Sequence, residues 1–155
     1  MDDIALARAI HVVSVVLWIG GVGFVTTVVI PTARRRGAAD ERLALFETIE
    51  SRFSRFARWL VLIAGLSGLY LAHRLGLWPR FLALWWMAAM AGLWLLFAVI
   101  LFILEPVLLR RWFADRAAAR PDRTMRLVQA AHWILLTLAV ATIIGAVAGS
   151  HRVEF

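Results

Sequence analysis

Four stretches of this chain are too long and too apolar to sit inside a soluble fold. A helix needs roughly 20 apolar residues to cross a bilayer. By that measure the spans run from about Ile4 to Pro31, Trp59 to Ala72, Phe81 to Leu109 and Leu127 to Gly149. Without water, a spanning segment must satisfy its own N–H and C=O groups, so each stretch reads as a helix. Composition agrees: 63% of the 155 residues are hydrophobic, and the mean hydropathy is +0.81, above what a soluble core requires. The expected fold is an all-α, integral-membrane four-helix bundle, a single domain over residues 1–155 with the lipid bilayer as its first partner.

The second apolar run is short, but the segment before it extends it. There Leu45, Ile49, Phe53 and Phe56 recur at helical spacing among Glu47, Glu50, Arg52 and Arg55. This pattern predicts one helix over about 40–75 whose amphipathic first half protrudes from the membrane.

Orientation follows from arginine, because all 17 basic residues are Arg. Arg34, Arg35, Arg36, Arg42, Arg52, Arg55 and Arg58 lie between the first two spans, and Arg110, Arg111, Arg116, Arg120, Arg123 and Arg126 between the last two. The middle connection has only Arg74 and Arg80. The positive-inside rule makes the two rich connections cytoplasmic and puts both termini on the outer, periplasmic side. The formal charge of +7 is then a topology signal, and lipid head groups explain it better than nucleic acid does. Met1-Asp2-Asp3 is acidic where a cleaved signal peptide is basic, so the first span is expected to stay in place. With no cysteine, disulfides, thiolate metal sites and covalently attached c-type haem are excluded.

The four histidines can be placed by depth, using a rise of about 1.5 Å per helical residue. His11 lies inside the first span near its outer end, His73 closes the second, and His151 follows the fourth. His132, six residues past Arg126, falls near the cytoplasmic face. An ionisable side chain within a span is costly and marks a functional candidate, so the outer trio suggests one haem or metal per chain. A haem needs flat space and basic partners for its propionates. His11 has Ala7 and Ser14 one turn away and Arg8 nearby, His73 follows Gly65 and Gly68 and precedes Arg74, and His151 follows Gly145, Ala148 and Gly149 and precedes Arg152. His132, among Val128, Leu135 and Leu136, has less room.

Plainer readings stand beside these. His11 can be a hydrogen-bonded structural residue, His73 can contact head groups, His151 can be solvated tail, and His132 beside Trp133 can be interfacial. Small residues also serve close helix packing. Glu105, before Pro106, either pairs with arginines at the cytoplasmic end of the third helix or relays protons. Most of the eight tryptophans read as interfacial anchors. Trp18, one heptad from His11 on the same face, reads as packing on a neighbouring helix or a haem edge.

His11, Trp18-Ile19-Gly20-Gly21, Phe24 and Pro31, with Gly65-Leu66-Ser67-Gly68-Leu69-Tyr70 in the second span, resemble a pattern of small bacterial membrane proteins. These are the CopD-type copper-resistance domain and the haem-binding, integral-membrane protoporphyrinogen oxidase. The resemblance covers about the first half of the chain. It implies a helical bundle in the bacterial inner membrane with a ligand histidine on the first helix, which maps onto His11. The third span, Trp85-Trp86-Met87-Ala88-Ala89-Met90, lacks the lysine and histidine of the oxidase type.

The function expected is that of a b-type cytochrome-like protein. It would bind haem b near the outer face through His11 and His73, with His151 as substitute and Arg8 and Arg74 at the propionates, and pass electrons between a quinol or redox partner and an acceptor. The alternatives are a haem-biosynthesis oxidase and a copper-handling or structural subunit in which the same histidines are metal ligands. Glycines on spans one, two and four leave room for a homo-oligomer.

Overall fold

The first helix starts at Asp2, whose carboxylate accepts a hydrogen bond from the Ile4 N–H and, with Asp3, places negative charge at the positive end of the helix dipole. The computed structural model describes residues 2–35, 38–109 and 120–150. Helix α1 runs Asp3–Phe24, passes through a π-helical turn at Val25–Val29 and ends α-helical at Ile30–Arg34. Helix α2 is unbroken over Ala39–Arg74. A turn at Gly76, with φ of +64°, and a 3₁₀ turn at Trp78–Arg80 lead into α3. That helix comprises Trp85–Val99 and a π-helical continuation, Ile100–Leu109. Helix α4 covers Pro121–Ser150.

All four helices are long and apolar enough to cross a membrane, and no strand occurs among the described residues. The expected spans are thus present, including the single helix over 40–75. The third begins at Trp85 rather than at Phe81, because Pro79 and the extended Leu84 delay it. Apolarity alone does not sense that delay.

Both π-helical stretches have a proline to account for them. In a π-helix the carbonyl of residue i meets the N–H of residue i+5, and proline has none. The donors due to Thr26 and Leu101 are Pro31 and Pro106. Each orphaned carbonyl is instead met from another helix. Gln129 Nε2 donates to the Thr26 carbonyl at 2.8 Å, and Arg58 Nε donates to that of Leu101 at 2.9 Å.

The most extensive packing is between α1 and α2. Its upper cluster joins Trp18, Ile19 and Val22 of α1 to Ala57, Leu60, Val61 and Ala64 of α2, with Phe97, Leu101 and Ala139 closing it. Trp18 meets Phe97 edge-on, with centroids 4.8 Å apart, so its partner is a neighbouring helix. The lower cluster brings Phe46 against Val25, Val29, Ile30, Ala33 and Met125. The amphipathic first half of α2 is thus packed against α1 and α4. Phe46, Phe53, Ala57, Leu60 and Ala64 form one continuous stripe, and Phe53 fills the space that Gly21 leaves. The amphipathic half therefore runs beside α1 instead of standing clear of the bundle. Its charges line one face and its apolar stripe the other.

Outward faces are apolar as well, with Leu66 68% and Ile144 64% exposed. Apolar surface on this scale suits lipid rather than water.

Candidate functional site

Inward-facing polar side chains gather at two levels, one toward each end of the bundle. At the end bearing the chain termini, His11 projects from α1 onto α2. Its Nδ1 lies 2.9 Å from the Ala64 carbonyl and 3.2 Å from Ser67 Oγ. A carbonyl only accepts, so the proton sits on Nδ1, and Nε2 keeps its lone pair, with no hydrogen-bond partner among the described residues. Backbone anchoring of one ring nitrogen is the usual way a histidine is oriented as a ligand through the other. The ring lies against Gly68, where a Cβ would stand 3.1 Å from His11 Cε1. Both buried clusters stop at the level of Val15, Ala64 and Trp94.

The other expected site residues sit differently. His73 is exposed at the end of α2, nine residues past Ala64, which at about 100° per residue turns it to the opposite side of that helix. The structure does not bring it to His11. Arg74 is ion-paired with Asp3 at 2.8 Å, and Tyr70 OH donates to the same carboxylate at 2.8 Å, so this arginine clasps α1 to α2. Arg8 is exposed on α1. His151 and Arg152 lie outside the described residues. Among the described residues, no three His, Cys, Asp or Glu side chains converge as a metal-ion set.

The room expected beside the small residues is taken by rings of this chain. A Cβ on Gly65 would stand 2.6 Å from the Trp94 indole, one on Gly145 3.0 Å from Trp85, and one on Gly149 2.6 Å from Trp86. Trp94 also donates to the Val61 carbonyl at 2.8 Å. These three tryptophans therefore pack helices together.

The second level lies toward the arginine-rich end, where α2, α3 and α4 contribute. Glu105 accepts from Ser54 Oγ at 2.8 Å and lies 3.3 Å from an Arg58 NH2 group of α2. His132 is half-buried, with Nδ1 2.9 Å from the Val128 carbonyl and its ring edge-on to Phe46. Its Nε2 lies 3.9 Å from Glu50 Oε2. This histidine faces the bundle. Glu50, Ser54 and Arg58, the residues sequence reasoning missed as a site, recur every fourth position on α2. That stripe was visible, but it reads as the solvated face of a protruding helix until α2 is packed against its neighbours.

Comparison with protein-family models, curated proteins and solved structures finds no match for this chain.

Proposed function

We propose that this chain is a multi-pass protein of the bacterial inner membrane, with its termini on the outer side, that binds haem in the manner of a b-type cytochrome and serves electron transfer with a quinol or redox partner. The observation that carries the reading is the state of His11. Its Nδ1–H is held by the Ala64 carbonyl, which leaves a neutral imidazole with Nε2 available to iron.

Two further features support it. Trp18 Nε1, one heptad deeper on the same face, is buried without an acceptor, an expensive state for a donor with no polar group beside it. The apolar cluster that holds Trp18 and Phe97 also ends below His11, whose own ring is half-buried. The fit is partial, because the glycine positions are filled by indoles and His73 lies on the far side of α2. A second ligand would come from His151 or from a second copy of the chain.

Haem, when bound, supplies one-electron chemistry. The chain's own part is to orient the imidazole through Ala64 and Ser67, hold α1 on α2 through Asp3 and Arg74, and exclude water below with Trp18 and Phe97.

A reduced-minus-oxidised spectrum of the purified protein in detergent tests this. A sharp b-type band supports the reading, and a preparation that stays colourless after incubation with haem sinks it. Copper without haem would move the assignment to the metal-handling class.

A further inference from the structure

The level at Glu50, Ser54, Arg58, Glu105 and His132 is independent of the haem reading. Among the described residues its charges do not balance pairwise. Arg58 is permanently cationic and is fixed by two contacts, the Leu101 carbonyl at 2.9 Å and Glu105 at 3.3 Å. It balances one carboxylate. Glu50 is the second carboxyl, within electrostatic reach of Glu105. Its side chain is 29% exposed overall, yet its Oε2 is shielded from solvent and meets no hydrogen-bond donor. An anionic oxygen in that position is strongly disfavoured. Among the described residues, the titratable groups facing it are Glu105 on α3 and His132 on α4, with Arg58 two turns along its own helix. Residues 20–33 of α1, packed alongside, contain no titratable side chain.

We infer that Glu50 and His132 form a proton-binding site that holds a single exchangeable proton, shared between carboxyl and imidazole and open to the arginine-rich end of the bundle alone. The exchange is balanced: a carboxylic acid beside a neutral imidazole becomes a carboxylate beside an imidazolium, with Nε2 taking the proton that Oε2 gives up. The 3.9 Å separation exceeds a hydrogen bond, and one water or a change of Glu50 rotamer closes it. On the other side, the packed layer of Trp18, Leu60, Val61 and Phe97 separates this site from His11. The site therefore loads and unloads a proton at one face and does not conduct through the bundle.

Infrared difference spectroscopy of the full chain in detergent, recorded across pH, tests the assignment. The expected result is one titrating carboxylic-acid band that is lost in Glu50→Gln, unchanged in the exposed Glu47→Gln, and shifted in midpoint by about one pH unit or more in His132→Gln, since strongly coupled groups titrate as a pair. A band that survives Glu50→Gln, or a midpoint indifferent to His132→Gln, overturns it. Circular dichroism checks that each variant is folded. Should Glu50→Gln fail to fold, the unaltered protein still decides. The His132 ring-nitrogen resonances must move at the midpoint of the carboxyl band, and a separate midpoint for the two groups overturns the sharing.

Discussion

Arg58 on α2 donates its Nε–H to the Leu101 carbonyl on α3 at 2.9 Å, taking the place of the N–H that Pro106 cannot offer. The same guanidinium faces Glu105 at 3.3 Å, so one side chain repairs a broken helix ladder and neutralises a carboxylate within the bundle. Replacing it by Met removes the donor to the Leu101 carbonyl and the guanidinium beside Glu105. The expected loss is about 3–5 kcal/mol, the range for stripping one partner from a buried ion pair, read as a lower midpoint in detergent unfolding. Pro106→Ala returns an N–H to α3, so Arg58→Met should cost about 1 kcal/mol less in that background. Equal costs in both backgrounds would show that the Leu101 contact contributes nothing.

Gln129 and Thr26 repeat the arrangement at Pro31. Gln129→Leu keeps the approximate volume but leaves the Thr26 carbonyl without a donor, an expected loss of about 1–3 kcal/mol. In Pro31→Ala the helix supplies its own donor, and most of that loss should vanish. Unfolding midpoints of the four combinations give the coupling directly.

The glycines divide by what faces them. Gly65 and Gly149 admit Trp94 and Trp86, with 2.6 Å to a Cβ at either position, whereas Gly92 has nothing within 4 Å. Gly65→Ala and Gly149→Ala should each destabilise by about 1–3 kcal/mol through overpacking against a rigid indole. Gly92→Ala should be neutral or slightly stabilising, because alanine favours the helix by about 1 kcal/mol. A thermal series that ranks Gly92→Ala among the damaging changes would contradict this packing.

On the haem reading, the two histidines first paired by depth separate in their effects. His11→Ala should abolish haem binding, while His73→Ala should leave haem content nearly unchanged, both measured by pyridine haemochrome per mole of folded protein. Gly68→Ala tests the support of the ring: its Cβ would stand 3.1 Å from His11 Cε1, so haem content or the band position should change although no ligand has been removed. Equal loss in His11→Ala and His73→Ala would restore the bis-histidine pairing.

Helix number, span positions and the continuity of α2 were legible in the chain itself, because apolar length and period follow directly from the cost of burying backbone in lipid. His11 was legible for the same reason, as an ionisable residue in an apolar run. Its tautomer was not, since the Ala64 carbonyl that sets it lies 53 positions away. The reading of Gly65, Gly68, Gly145 and Gly149 as space for a flat ring failed because a missing Cβ marks close approach without saying what approaches. The indoles of Trp85, Trp86 and Trp94 and the His11 ring answered that.

The local sequence thus determined which segments are helices, how long they are and where prolines interrupt their ladders, all of which depend on neighbours a few residues apart. Tertiary structure alone decided the rest. It turned His73 away from His11, and it set Arg58 between Leu101 and Glu105. It also brought Glu50, on a face that reads as solvated, and His132 of the fourth span to face each other inside the bundle. Those relations depend on how helices rotate and pack against one another, and the pattern along a single helix does not specify that rotation.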